Sequence, residues 1–259
     1  MIPRIIHYCW FGRNPLPELA MRCIETWKKK CPDYKVIEWN EDNFDIESAP
    51  TYVKQAYEAK KYAFVSDYVR LWALVNDGGI YMDTDVELLK PIDYFLDKKA
   101  FIGFETRSRI QTCLMASVEK FTFFEELLHE YDDIEFVRPD GSYDFTTNVS
   151  RITKKCEQYG FVMNNEYQTI DGFDVYPQEY FCPKDYETKN LKLTNNSVCV
   201  HHFDGSWKSE LDRLTDSLHD RFSKYMPRKV AGLMARCVAS IKIEGFSAAC
   251  LRIIKYICK

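Results

Sequence analysis

The sequence has no uninterrupted apolar run approaching the roughly 20 residues a membrane-spanning helix needs, so no such span is expected. Its ten cysteines include no CxxC pair and lie scattered from Cys9 to Cys258, several within apolar runs (Cys9, Cys113, Cys199). That spread fits reduced, buried thiols better than a disulfide framework. Internal repeats and low-complexity tracts are missing, and no linker clearly divides the chain. A net charge of −4 gives no overall basis for binding nucleic acid. The first residues read as a strand rather than a signal peptide, so an anchored or secreted protein is not expected and a cytoplasmic location is.

What remains is a chain of 259 residues with 46% apolar composition, enough for one large domain with a core, or one domain plus an appendage. Aromatics are plentiful, with 17 Tyr, 17 Phe and 5 Trp, as in sugar and nucleotide sites and equally in ordinary cores. Charge is unevenly spread. Residues 218–259 carry nine Lys or Arg against Asp220 and Glu244, a net +7, which leaves −11 on the rest. Basic residues interleaved with Phe222, Tyr225, Met226, Val230, Leu233, Met234, Val238 and Ile241 suggest either a helix packed on the domain or peripheral contact with an anionic membrane face.

The run 2–11 (IPRIIHYCWF), closed by Gly12, predicts a buried strand. Residues 18–30 read as a helix ending in three lysines, and 34–39 (YKVIEW) alternates as a second strand, so the chain opens βαβ, the start of a parallel sheet. A single long helix is expected over 51–76, capped by Gly78-Gly79, and then a strand carrying Asp83 and Asp85. Further strands are expected at 101–104, 111–116 and 198–203, helices at 120–131 and 145–159, and a helical pattern from 207 broken near Pro227. The expected division is a domain over 1–206 and a basic helical appendage over 207–259.

Two carboxylates one residue apart on a strand share a face, and their repulsion calls for a cation. Mg²⁺ or Mn²⁺ suits carboxylate oxygen and bridges phosphates. Spaced acids are common on surfaces, but Ile80, Tyr81, Met82, Val86 and Leu88 make this stretch apolar, and burying unpaired carboxylates is costly. Upstream, the helix 63–75 is apolar nearly all round except for Asp67 and Arg70, which lie on one face at i,i+3. They form either a structural ion pair or a polar patch aimed at a ligand. In the run 201–207 (HHFDGSW), His201 and His202 face opposite ways, so one of them is a candidate third metal ligand; Ser206 and Trp207 offer donors to phosphate. His7, Tyr8 and Trp10, at the end of the first strand, are either core aromatics or a platform for a base.

These three stretches, IPRIIHYCWFG, AFVSDYVRLWALVNDGGIYMDTDVEL and HHFDGSW, resemble the DXD-containing sugar transferases, a group that includes fungal Golgi mannosyltransferases and bacterial capsular-polysaccharide glycosyltransferases and is more distantly similar to the glucosylating domains of clostridial toxins. The resemblance spans residues 2–207. It implies an α/β fold of GT-A type, a Rossmann-like mixed sheet flanked by helices, here with a C-terminal helical appendage. It implies a UDP- or GDP-sugar donor, a glycan or lipid-linked acceptor, a divalent cation (Mn²⁺ or Mg²⁺), and transfer with retention in capsular or other surface polysaccharide synthesis. Carried over residue by residue, Asp83, Asp85, Asp67 and Arg70 form the catalytic set. His7, Tyr8, Trp10, Ser66, Asp67, Arg70, Tyr81, Asp83, Ser206 and Trp207 hold the donor. Asp83, Asp85 and His201 bind the metal. Alternatives are a toxin-like transferase acting on protein and a non-catalytic nucleotide-sugar-binding module. A haloacid-dehalogenase type phosphohydrolase also carries a strand-borne DxD, but its downstream Lys and acidic motif have no counterpart here.

Overall fold

A computed structural model describes residues 1–186, 188–205 and 210–245, and the chain divides into two compact units, Met1–Asp204 and Gly205–Lys259. In the first unit, strand β1 (Ile5–Cys9) pairs in parallel with β2 (Lys35–Trp39) through helix α1 (Glu18–Lys30), the expected βαβ opening. Apolar residues of α1 recur at helical spacing, and Ala20, Cys23, Ile24 and Trp27 are buried. The fully enclosed Trp27 gives its indole N–H to the Val86 carbonyl at 2.6 Å.

The expected helix over 51–76 is two helices, α2 (Thr51–Glu58) and α3 (Tyr62–Asp77). The break carries neither glycine nor proline. Lys60 takes the left-handed conformation (φ 56°), and the Lys61 N–H returns to the Ala56 carbonyl at 2.8 Å. An L-residue pays about 1–2 kcal/mol for that conformation, which packing of the flanking helices outweighs here.

Gly78 (φ 62°) ends α3, and Gly79 (φ 102°) opens β3 (Gly79–Met82), which lies beside β1 in parallel. The sheet continues through β7 (Leu114–Ser117), β5 (Ala100–Thr106), β9 (Phe173–Tyr176) and β8 (Gln168–Ile170), in the order β2-β1-β3-β7-β5-β9-β8, with β6 (Arg109–Ile110) on β5. Pairs β3/β7, β5/β7 and β8/β9 are antiparallel, and β5/β9 is parallel. This is the expected mixed α/β sheet flanked by helices. A separate antiparallel pair joins β4 (Val86–Leu88) to β10 (Cys199–His201).

Strand alternation sorts β3 between two cores. Tyr81 joins the aromatic cluster under α2, α3, α4 (Thr122–His129) and α5 (Asn148–Gln158), while Ile80 and Met82 join the one containing Trp27. In the second unit, α7 (Glu210–Phe222) packs on α8 (Arg228–Glu244), which starts after Pro227 where the sequence places a break. The distal basic residues Arg252, Lys255 and Lys259 lie outside the described residues.

The turn from α3 into β3 tolerates no side chain. A Cβ on Gly79 would stand 2.7 Å from the Ile5 carbonyl oxygen, in a conformation L-residues avoid. Gly79→Ala is expected to lower unfolding free energy by roughly 3 kcal/mol, measured by urea denaturation. A change below about 1 kcal/mol would show that β1 and β3 are not in this close contact.

Candidate active site

The carboxyl ends of β1 and β3 coincide, and the turn leaving β3 carries the two acids. Asp83, Thr84 and Asp85 do not continue the strand: the Val86 N–H closes a turn onto the Asp83 carbonyl at 3.0 Å, and β4 begins at Val86. The expected same-face strand pair is therefore corrected. The two carboxylates are held toward one point by different partners rather than by strand alternation. The Asp83 N–H donates to the Cys113 carbonyl at 2.8 Å, anchoring the turn to the start of β7.

Asp83 Oδ1 accepts from the Tyr81 hydroxyl at 2.9 Å and lies 3.3 Å from Arg70 Nη2. Arg70, projecting from the buried face of α3, also places Nη2 3.1 Å from Asp67 Oδ1, gives Nε to the Ser66 carbonyl at 3.2 Å and Nη1 to the Thr112 carbonyl at 2.9 Å, and lies 4.6 Å over the Tyr81 ring. Asp67 is fixed on its other side by Asn148, whose backbone N–H donates to Asp67 Oδ2 at 3.2 Å and whose side-chain amide donates to the Asp67 carbonyl at 2.6 Å. Burial pushes the Asp67 carboxyl up, against the pull of Arg70 and the Asn148 N–H.

Asp85 is held from the other direction. The register of β10 on β4 sets His201 opposite Val86, bringing its Nε2 within 3.3 Å of Asp85 Oδ1, and the Asp204 N–H donates to Oδ2 at 2.8 Å. Burial would raise the Asp85 carboxyl, but the imidazolium and these hydrogen bonds outweigh it and hold it at about 2. Burial would likewise lower His201, and the Asp85 charge and hydrogen bond prevail, raising it to about 10. His202 turns away and pairs with Glu87 at 2.9 Å, so His201 is the histidine facing the acids.

Ligand atoms of Asp83, Asp85 and His201 all lie within 4.8 Å of one another. Two carboxylates and one imidazole in mutual reach fit a hard or borderline divalent cation such as Mn²⁺. The structure thus gathers Asp67, Arg70, Tyr81, Asp83, Asp85 and His201. Ser66 sits on the same turn of α3 with its hydroxyl on the Tyr62 carbonyl at 3.0 Å.

The first-strand residues divide differently. His7 is fully enclosed with both ring nitrogens engaged: Nε2 donates to the Gly78 carbonyl at 2.8 Å and Nδ1 accepts from the Trp39 indole at 3.0 Å. It has no nitrogen left for a donor, and burial lowers its pKa so that it stays neutral. Tyr8 points to the opposite core beside Trp27 and gives its hydroxyl to Glu38 at 2.6 Å. Trp10 is half-buried, its indole N–H on the Asn14 carbonyl at 2.6 Å. Ser206 and Trp207 lie outside the described residues.

Sequence reasoning missed Glu105. It sits at the end of β5, where pairing with β6 slips between Phe104 and Thr106. Such a bulge re-aims a side chain. Burial raises its carboxyl, against the charges of His201 and Arg109, while Asp83 adds to the rise. Its signal in sequence is a lone acid closing the apolar strand AFIGFET. Asn148, the clamp on Asp67, carries no such signal.

Comparison with known proteins adds to this geometry. A family model described as the glycosyltransferase sugar-binding region containing the DXD motif matches residues 17–102, which include Ser66, Asp67, Arg70, Tyr81, Asp83 and Asp85. The chain is 31% identical over 111 residues to inositol phosphoceramide mannosyltransferase 1 of Schizosaccharomyces pombe, covering 39% of this chain and 33% of that protein. It is 28% identical over 140 residues to a mannosyl phosphorylinositol ceramide synthase of Saccharomyces cerevisiae, covering 49% and 35%. An uncharacterized glycosyltransferase of Acanthamoeba polyphaga mimivirus matches at 24% identity over 82% of this chain and 86% of its own. The chain spans about a third of the length of the two fungal relatives. Over residues 17–102, the chain is similar to the DXD-containing glycosyltransferases.

Proposed function

We propose that the chain is a divalent-cation-dependent glycosyltransferase that moves a sugar from a nucleotide-sugar donor to a hydroxyl of a glycan or lipid-linked acceptor in surface polysaccharide synthesis, with retention at the anomeric carbon. The observation that carries this reading is the convergence of Asp83, Asp85 and His201 within 4.8 Å beside the Asp67–Arg70 pair. Asp83, Asp85 and His201 would hold the cation, whose charge would offset that gathering on the leaving diphosphate. Asp83 Oδ1 is committed to Tyr81 and Arg70, so Oδ2 is the oxygen it presents to cation or donor. Both oxygens of Asp67 are engaged, by Arg70 and Asn148, which suits a group that orients donor hydroxyls and not a covalent nucleophile. Trp10 is the first-strand aromatic left to meet the base. With Asp67 committed on both oxygens, attack comes from the face the diphosphate leaves, and the departing phosphate takes the acceptor proton. Glu105, close enough to feel His201 and Asp83, is the carboxylate we assign to orienting the attacking hydroxyl.

The basic second unit supports peripheral placement at an anionic membrane surface. Helix α8 exposes Val230, Leu233, Met234 and Ile241 among Lys229, Arg236 and Lys242. No helix among the described residues is long and apolar enough to cross a membrane. The two fungal relatives are named for transfer to an inositol phosphoceramide, a lipid acceptor, which makes lipid-linked hydroxyls the first acceptors to try.

Three measurements test this reading. A panel of UDP- and GDP-sugars, with GDP-mannose first, is expected to give Mn²⁺-stimulated donor hydrolysis by the wild type. Asp85→Ala should lower Mn²⁺ affinity and hydrolysis by roughly 100-fold or more; undiminished activity in that variant would remove the metal role, and silence on every donor would favour a binding module. Glu105→Gln is expected to lower kcat toward the acceptor about tenfold or more while Mn²⁺ affinity stays within about twofold. A matching fall in Mn²⁺ affinity would make Glu105 a ligand instead. Finally, the full chain should float with vesicles rich in anionic lipid, and Leu233→Asp combined with Met234→Asp should abolish flotation; equal flotation of both chains would dismiss α8 as the contact.

A further inference from the structure

His201 belongs to a second constellation that the proposed transferase site does not use. The Sγ atoms of Cys113 and Cys182 and a ring nitrogen of His201 lie within 4.8 Å of one another, and Nε2 of that ring is the nitrogen facing Asp85. Both thiols are fully enclosed, at 1% and 0% exposure. His201 Nδ1 is buried and meets no nitrogen or oxygen partner, and the Cys182 thiol is the polar group interacting with the ring besides Asp85. Each member comes from a different element. Cys113 precedes β7 and its carbonyl takes the Asp83 N–H; Cys182 ends the short helix α6 (Gln178–Phe181); His201 ends β10. Cys199, two residues before His201 on β10 and so on the same strand face, gives its thiol to the Phe181 carbonyl next to Cys182 at 3.1 Å.

We propose that Cys113, Cys182 and His201 Nδ1 form a binding site for a soft or borderline divalent cation such as Zn²⁺, with water or Cys199 in the fourth position. Two thiolates and an imidazole are a zinc donor set, and tetrahedral zinc holds its S and N ligands about 3.6–3.8 Å apart. With every separation inside 4.8 Å, the donors need to close by at most about 1 Å. Binding releases the two thiol protons to solvent and leaves His201 as a neutral ligand.

The two sites exclude each other through one ring. A neutral imidazole has one lone pair for a metal and one N–H. When Nδ1 binds the soft cation, the proton sits on Nε2, which then donates to Asp85 and no longer serves as the third ligand of the carboxylate site. Zinc occupancy thus strips the hard site to Asp83 and Asp85. This inhibitory consequence rests on the proposed transferase reading; the thiolate site itself does not.

Cobalt reports thiolate ligation directly. The full chain, kept reduced with a phosphine, is titrated with Co²⁺ while the near-ultraviolet thiolate-to-cobalt charge-transfer band is followed. The band is expected to saturate at about one equivalent, to bleach on adding Zn²⁺, to vanish in Cys113→Ser and in Cys182→Ser, and to persist in Cys156→Ser and Asp85→Ala. A wild type without the band, or a band that survives both cysteine substitutions, overturns the site. Zinc-edge X-ray absorption on the zinc-loaded wild type needs no variant: a shell of two or three sulfurs with nitrogen supports the site, and a shell of nitrogen and oxygen alone refutes it. Mn²⁺ affinity by electron paramagnetic resonance should fall about tenfold when zinc is bound; unchanged affinity would overturn the mutual exclusion.

Discussion

One buried cation organises the first unit. The Arg70 guanidinium has five N–H donors, and it spends them on the Ser66 and Thr112 carbonyls and on the carboxylates of Asp67 and Asp83, with its face against the Tyr81 ring. A single side chain thereby ties α3 to the end of β3 and to the segment entering β7. A buried charge persists only when paired and hydrogen-bonded, and removing one partner of such an arrangement costs about 3–5 kcal/mol because the others are left uncompensated. Asp67 and Asp83 are therefore as much a condition of the fold as features of the site. The Gly78-Gly79 turn makes the arrangement possible by returning the chain from the Arg70 helix into the strand that bears Tyr81 and Asp83 within two residues.

The charge balance around that hub explains why a cation is called for. Asp67, Asp83 and Asp85 are met by Arg70 and by His201, with Glu105 close enough to feel both His201 and Asp83. Arg70 offsets one of the two charges of the inner pair. Asp85 relies on the His201 proton, which is why that imidazole is held charged. A divalent ion bound at Asp83 and Asp85 would replace that proton with a larger charge at the same place, so the acids need not move apart to accept it. The turn geometry serves this better than a strand would: Asp83 looks back to α3 while Asp85 looks to β10, and an oxygen of each lies within 4.8 Å of the other.

Much of this was legible in the residues, and the misses have physical causes. Apolar runs and lysine placement marked β1, α1 and β2 because burial and the helix dipole act locally. Asp67 and Arg70 stood out because charges in an all-apolar helix need a partner. The break at Lys60 was illegible, since no glycine or proline announces it and tertiary packing imposes it. His7 and Tyr8 read as either core aromatics or a platform for a base; strand alternation puts them on opposite faces, and the Gly78 carbonyl and Trp39 claim His7. Which of His201 and His202 meets the acids depends on the register of β10 against β4, a long-range pairing that no local pattern encodes. Glu105 is re-aimed by a bulge whose existence depends on β6.

Helix α8 shows the same limit from the opposite side. Its periodic apolar residues suggested a face for packing, but the residues it buries are the small ones: Ala231, Ala235 and Ala239, one turn apart, let α7 approach closely. The larger Val230, Leu233, Met234 and Ile241 stand at 41–48% exposure on the other side. Period alone gives the stripe and not which of two stripes faces the neighbour; side-chain size decides that, because a close helix pair needs small residues at the seam. Full burial of each larger side chain is worth about 1.5–3 kcal/mol, so this face retains a driving force for contact that the hairpin itself does not satisfy. Set among lysines and arginines, that driving force supports the proposed contact with a surface that is apolar beneath and anionic above.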